Sequence, residues 1–145
     1  MKTVREVTVQ IPNKPGALSN ILELLGSNSI YALGFSLKVS GEYGDLTLIT
    51  SDPSRTHNIL ESSSLKTTVS DRLVVEIPQH PGGLNAILKP LKVAGVNIEN
   101  MYYMQGAYAV LKRPLLVLAV EDNAKAFEAL SGEWIVLKGE EVLGY

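Results

Sequence analysis

Two stretches of the chain carry Pro-Gly in the same setting, and their residue types suit the binding of a small anion. Residues 11–25 and 77–91 share the pattern Ile-Pro-x-x-Pro-Gly-x-Leu and are identical at eight of fifteen positions, 66 residues apart. In each copy a period-two apolar run precedes the pattern and a helical stripe of Leu and Ile follows it, which predicts a loop from strand to helix. Free backbone N–H groups and the positive end of the helix dipole at such a loop suit a carboxylate. A glycine there lets a ligand approach the backbone closely.

Other combinations of reactive residues indicate no catalysis. His57 and His80 have no metal-ligand spacing, the serines at 62–64 lack a nucleophile motif, and no glycine-rich run matches a phosphate-binding loop. Glu140 and Glu141 would point to opposite faces of a strand, so we interpret them as a solvated charge pair. Because the chain has no cysteine, disulfides, thiolate metal sites and cysteine nucleophiles are excluded. We expect neither an enzyme nor a metal or cofactor site.

Composition narrows the class of partner. The chain has 145 residues and a formal net charge of −2, with 13 basic and 15 acidic residues spread evenly. That balance argues against a nucleic-acid or membrane-surface partner. No apolar run approaches the roughly 20 residues that cross a bilayer. The N-terminus lacks the apolar core of a signal peptide, so we expect a cytoplasmic protein.

The similarity between the two copies continues beyond the Pro-Gly stretches. The residues at 48, 52 and 60 recur 70 positions later, and the extra residues fall in a predicted loop over 105–113. Each copy predicts the order strand, helix, strand, strand, helix, strand. The fold class is therefore α+β, with two tandem βαββαβ ferredoxin-like units over residues 1–71 and 72–145, antiparallel sheets and both helices on one face. A unit this small buries only about 60% of its surface, so we expect the halves to pack together.

Four local details are also predicted. Pro15 and Pro81 suit the first helical position, where a missing N–H costs nothing. Pro90 predicts a kink or a bent last turn in its helix. The last strand is predicted over residues 134–137. The strands on either side of Asp71-Arg72 are expected to run on almost as one.

Two short motifs in the second copy identify a family. Pro-Gly-x-Leu after a strand, with Ala-Gly-Val-Asn-Ile at 94–98 opening the next strand, closely resembles the ACT domain. The resemblance covers nearly the whole chain, as two tandem ACT units. It implies a regulatory module that binds a small ligand, most often an amino acid, where paired units meet. The first copy departs from the pattern, since it has Ser-Ile-Tyr-Ala at 29–32 where the second has Gly-Val-Asn-Ile.

The resemblance also implies which residues bind the ligand: the Pro-Gly loops and the start of the second strand of the second copy. These residues are Asn13, Lys14, Pro15, Gly16, Ala17 and Leu18 in the first copy, and Gln79, His80, Pro81, Gly82, Gly83, Leu84, Asn97 and Ile98 in the second. Backbone N–H groups near Gly16, Gly82 and Gly83 would bind the carboxylate. Asn97 could accept from an ammonium group or donate to the carboxylate. Lys14 and His80 occupy matching positions and either close the pocket or are simply exposed.

Two hypotheses of function remain open from sequence. The chain is either an amino-acid-binding regulatory protein or a non-catalytic regulatory or assembly subunit that binds a separate metabolic enzyme without its own ligand. The resemblance implies a homo-oligomer, with a dimer expected. Residues 101–104 and Trp134 are candidates for its interface, and ordinary core packing explains them equally well.

Overall fold

The computed structural model describes residues 1–106 and 114–144, which form two compact units. The N-terminal unit comprises Arg5–Ser70, and the C-terminal unit comprises Asp71–Gly144 together with Met1–Val4. The described chain has an α+β fold with antiparallel strands and four α-helices. Within these residues, no helix has the length and apolar character that a bilayer crossing requires.

In the N-terminal unit, residues of the sheet and of both helices form one apolar core cluster. β3 is antiparallel to both β1 and β2, and Leu48 of β3 lies opposite Val7 of β1 and Phe35 of β2. Ile21 and Leu25 bury one stripe of α1 in a cluster that also contains β1, β3 and α2 residues. The elements are β1 (Val4–Pro12), α1 (Ala17–Ser27), β2 (Ala32–Ser40), β3 (Tyr43–Thr50) and α2 (Pro53–Ser62).

The C-terminal unit repeats this arrangement. β6 is antiparallel to β4 and β5, and the other edge of β4 pairs with the short β7. Its core cluster joins Leu73 and Leu118 of the sheet to Ile87 of α3 and Leu130 of α4. The elements are β4 (Thr67–Glu76), α3 (Gly83–Ala94), β5 (Ile98–Met104), β6 (Leu115–Val120), α4 (Asn123–Ser131) and β7 (Leu137–Lys138).

A single strand, β4, passes through the boundary between the units. Asp71 and Arg72 continue the strand, as predicted. The loop predicted over 105–113 lies outside the described residues from position 107 onward.

The structure corrects the predicted bounds of the helices after the Pro-Gly loops and of the last strand. Pro15 and Pro81 do not begin their helices, because α1 and α3 start at Ala17 and Gly83 behind glycine N-caps, and each proline belongs to the preceding turn. The last strand is also wrong, because it covers only Leu137–Lys138 rather than 134–137. The run Trp-Ile-Val-Leu resembles a strand in composition, but its first residue lies in the turn after α4.

The end of the described chain also differs from its prediction. Glu140 and Glu141 lie in a 3₁₀ helix over Glu140–Leu143 rather than on a strand, so their predicted placement on opposite strand faces is wrong.

Helix α3 continues through Pro90 to Ala94. Because proline has no N–H, the carbonyl of Ala86 lacks its usual helical donor.

Candidate functional site

The two Pro-Gly loops have the same backbone shape. Gly16 and Gly82 are N-caps with φ of 87° and 82°, in the left-handed region where a side chain is strained. A Cβ built at either glycine would meet no atom within 4 Å. Each loop therefore places a bare, solvent-open backbone at the start of its helix.

The N-termini of the four α-helices are capped in two different ways. At α2 the side chain of Asp52 accepts from the Arg55 N–H at 3.1 Å, and at α4 Asp122 accepts from the Lys125 N–H at 3.0 Å. At α1 and α3 no side chain caps the helix. The N–H groups of Ala17 and Gly83 already donate to carbonyls of their own loops, so the next two N–H groups of each helix are the ones that can bind an external acceptor.

The N-terminal loop is held in place by Asn13. Its backbone N–H donates to the carbonyl of Glu42 at 2.8 Å, and its Nδ2 donates to the carbonyl of Gly41 at 3.0 Å. These bonds tie the loop to the turn between β2 and β3. The side chains of Lys14 and Pro15 remain exposed, so Lys14 is the cation available beside the α1 N-terminus.

The C-terminal loop is tighter. The Gly83 N–H donates to the carbonyl of His80 at 2.9 Å, and the His80 ring nitrogen lies 2.8 Å from the carbonyl of Pro81. A Cβ on Gly83 would lie 1.9 Å from the carbonyl oxygen of Pro78, so glycine is required by close approach. Gln79, His80 and Pro81 are exposed.

The flanking apolar residues anchor the loops to the cores. Ala17 is buried in the N-terminal core, and Leu18 packs partly against it. Leu84 packs in the same way against the C-terminal core. These residues support the loops from beneath, leaving the glycines and the polar residues for a ligand.

Asn97 lies away from the Pro-Gly loop of its own unit. The sheet register aligns Glu76, which precedes the loop, with Leu115 and Met104, whereas Ile98 aligns with Val120. Five strand residues separate these rows, or roughly 16 Å along the sheet. The unit therefore brings its loop residues together but leaves Asn97 and Ile98 at the opposite end.

The backbone around Asn97 is held and its side chain is exposed. Its N–H donates to Oε1 of Glu121 at 3.1 Å, and its carbonyl accepts from the Glu121 N–H at 3.3 Å. The equivalent N–H in the N-terminal unit, that of Tyr31, donates to the hydroxyl of Ser51 at 2.9 Å. The backbone is therefore fixed by a hydrogen bond at the same position in both units, while the exposed side chain there is an asparagine in one unit and a tyrosine in the other.

A small cavity of about 60 Å³ lies between the N-terminal loop, α1 and the hairpin of β2 and β3. Leu18, Leu37 and Val39 form part of its wall. One water needs about 10–15 Å³ on this measure, so the cavity has room for a few waters or a short aliphatic group but not for a whole amino acid. A wider, open hollow of about 670 Å³ adjoins Gly16 and Leu22 on the outer side of α1.

An exposed apolar strip recurs in both units, and sequence reasoning recognised only part of it. Phe35 and Leu37 of β2 lie opposite core residues of β3, yet they are 58% and 39% exposed. Met101 and Tyr103, 66 positions later, lie opposite core residues of β6 and are 36% and 62% exposed. The 66-residue offset already found at the Pro-Gly loops was the signal that could have located Phe35.

Comparison with known proteins identifies the architecture. The profile of the ACT domain pair family matches residues 2–137. No curated protein matches the sequence significantly.

Solved structures give the same fold at low sequence identity. A protein from Bacteroides thetaiotaomicron superposes with a TM-score of 0.87 at 24% identity, covering 98% of this chain and 96% of that one. The ligand-free regulatory subunit of aspartate kinase from Thermus thermophilus gives 0.59 at 14% identity, covering 92% and 93%. The corresponding subunit from Thermus flavus gives 0.56 at 14% identity, covering 91% and 92%.

Proposed function

The chain belongs to the ACT domain pair family, and we propose that it is a non-catalytic regulatory protein that binds an amino acid through its Pro-Gly loops. We further propose that its two units are tandem βαββαβ repeats, with β4 serving as the last strand of one and the first of the other. The boundary then falls at residues 71 and 72, and the protein acts in the cytoplasm.

The contrast in helix capping carries this proposal. An aspartate side chain accepts from one first-turn N–H at α2 and one at α4, whereas the second and third N–H groups of α1 and α3, behind their glycine N-caps, have no side-chain acceptor. A ligand carboxylate is the acceptor that these N–H groups lack, and the helix dipole adds about 0.3–1 kcal/mol. Because this gain is modest, the ligand needs further contacts.

The ammonium group of the ligand is assigned to Asn97. Its exposed amide oxygen can accept from an ammonium, but about 16 Å of sheet separates it from the loop of its own unit. The carboxylate and ammonium sites therefore belong to different ACT units, and the ligand is expected where such units meet. Lys14 and His80, at matching positions, are placed to close over the carboxylate.

A thermal-shift experiment tests the proposal. The purified chain is melted with each common amino acid at millimolar concentration, and a ligand at 100 times its Kd should add about 2.7 kcal/mol of stability. Gly16→Asp and Gly82→Asp should reduce or abolish the shift by placing a carboxylate where the ligand's own carboxylate binds.

Neutral variants provide the control for this experiment. Gly16→Asn and Gly82→Asn have the same backbone strain and nearly the same size but no charge, so they should retain more of the shift. If the aspartate variants respond as the wild type does, the ligand binds elsewhere. If no amino acid shifts the melt, the sensor function is rejected.

A second candidate function is a subunit that binds an enzyme without its own ligand. The exposed strips at Phe35–Leu37 and Met101–Tyr103 favour this alternative, since contiguous apolar surface often marks a protein interface. Two of the similar folds are regulatory subunits of aspartate kinase. A separate metabolic enzyme is therefore the class of partner proposed in either case, and pull-down with and without the amino acid distinguishes them.

A further inference from the structure

A cavity of side-chain size adjoins the N-terminal Pro-Gly loop. It has a volume of about 60 Å³, and its walls come from the loop, the first turn of α1 and the hairpin of β2 and β3. Leu18 lines this cavity and also the open hollow that contains Gly16 and Ser19. The N–H groups of Leu18 and Ser19 are the second and third of α1, to which the ligand's carboxylate is assigned. A ligand bound at these N–H groups can therefore reach the cavity with its own side chain.

The β2 wall of the cavity is apolar and partly in contact with water. Leu37 and Val39 line it and are 39% and 49% exposed. Of the polar residues around the cavity, Asn13 already donates its Nδ2 to the Gly41 carbonyl, and Lys14 is exposed. An apolar group that fills the cavity would remove the leucine and valine walls from water, which is favourable.

The volume of the cavity limits the side chain that can enter it. Since one water needs about 10–15 Å³, the cavity of about 60 Å³ has room for about four to six water-sized groups. The side chains of valine, leucine and isoleucine have three or four carbon atoms and are of this size. An apolar protein cavity that binds benzene has about 150 Å³, so a phenyl ring is too large here.

The C-terminal loop has a different wall. At the 66-residue offset, Tyr103 and Gln105 stand where the N-terminal unit has Leu37 and Val39. A tyrosine hydroxyl and a glutamine amide lose hydration when an aliphatic group covers them, which is unfavourable. The aliphatic wall is therefore a property of the N-terminal loop, and the two loops differ in the side chain they favour.

We propose that the N-terminal loop selects a branched aliphatic amino acid, namely valine, leucine or isoleucine, by binding its side chain in the cavity beside Leu37 and Val39. This inference rests on the proposed function, because it takes the carboxylate to be bound at the start of α1. Threonine has the shape of valine, but its hydroxyl loses hydration against the apolar wall. Alanine leaves most of the cavity unfilled, and phenylalanine is too large. Each of these three should bind about 10- to 100-fold more weakly than the best branched ligand.

Calorimetric titration of the full chain with these six amino acids tests the selectivity, and Gly44→Ala tests its location. A Cβ built at Gly44 lies 3.2 Å from Cδ1 of Leu37 and 3.4 Å from Cγ2 of Val39, so the added methyl crowds the wall of the cavity. The variant should weaken binding of the branched ligands about tenfold or more and change that of alanine by less than about threefold. Gly26→Ala is the matched control and should change neither, because a Cβ at that position in α1 meets no atom within 4 Å.

A second variant enlarges the cavity instead of crowding it. Leu37→Ala removes most of one wall side chain, so it should raise the affinity for phenylalanine relative to valine by about tenfold or more. Because Leu37 is partly exposed, the variant is expected to fold.

The outcomes separate this inference from the proposed function. If no amino acid binds the wild type, both fail. If the tightest ligand is not a branched aliphatic amino acid, or if Gly44→Ala and Leu37→Ala leave the selectivity unchanged, this inference alone is overturned. The chain would then still bind an amino acid, but the cavity would not select its side chain.

Discussion

Gly83 and Ala17 occupy equivalent positions at the start of their helices, but only the N-terminal unit has room for a methyl group. A Cβ on Gly83 would overlap the carbonyl of Pro78, so Gly83→Ala forces the loop to move. We expect about 1–3 kcal/mol of destabilisation, measured by urea unfolding. The reverse change in the other unit, Ala17→Gly, should cost about 1 kcal/mol from helix propensity and the lost burial of one methyl. Equal costs would show that Pro78 does not constrain the loop.

The Glu141 carboxylate makes the free energy of unfolding depend on pH in the acid range. The Gly139 N–H donates to its Oε1 at 3.0 Å and holds the pKa of this carboxyl below its ordinary value, helped by Lys2 and Lys138. Because the folded pKa is the lower one, this stability is complete above the unfolded pKa of about 4.3 and is lost as pH falls through the folded pKa.

Replacing the carboxylate should remove that dependence. Glu141→Gln is expected to cost less than about 1 kcal/mol at pH 7, since solvent screens an exposed carboxylate, and to flatten the stability profile below pH 5. Urea melts from pH 3 to pH 7 measure both effects. Glu128→Gln, on the exposed surface of α4, is the control and should leave the profile steep.

At the residue scale, sequence predicted which residues form the loops but not what each does. The pattern located Gly16 and Gly82, and the left-handed backbone explains the requirement for glycine there. It gave no indication that Asn13 bonds to the turn of a distant hairpin, since that contact depends on strand pairing. The same pairing separates Asn97 from its loop, which no local pattern records.

At the scale of elements, the helix N-termini have two different roles. Some are capped by the protein's own side chains, and others are proposed to bind the ligand. Asp122 caps α4, so Asp122→Ala should destabilise the chain by about 1 kcal/mol in urea unfolding. Since that terminus is satisfied by the protein itself, the variant should keep any amino-acid-induced shift in melting temperature. Loss of the shift would mean that the ligand contacts α4, contrary to the assignment of the Pro-Gly loops.

Elements with a strong hydrophobic period were the clearest to predict from sequence. The stripe of α1 and the alternation of β1 identified both elements, because burial on one face imposes the period. The run at 134–137 is apolar, but its first residue still lies in the turn after α4. Leu137 and Lys138 pair with β4, and the Glu76 N–H adds one bond to the Val136 carbonyl at 2.9 Å. Pro15 and Pro81 likewise precede their helices, because a left-handed cap glycine follows each proline before the helix begins.

At the scale of the whole molecule, the two Pro-Gly loops are alike, but the residues just before β2 and β5, where the ligand's ammonium contact is proposed, differ between the units. Both units offer an uncapped helix, yet an asparagine opens only β5, while Tyr31 holds the equivalent place before β2. If the ligand's ammonium needs the amide, the chain should bind one equivalent of amino acid tightly rather than two.

Calorimetric titration of the full chain measures that stoichiometry and its cause. Asn97→Ala should weaken binding by about 10- to 100-fold, since a hydrogen bond to a charged group is worth about 1.5–3 kcal/mol. Tyr31→Ala, at the equivalent position, should leave the affinity within about threefold, because its ring supplies no comparable acceptor. Two equal sites that both survive Asn97→Ala would show that the loops alone bind the ligand, and the asymmetry between the units would then have no part in recognition.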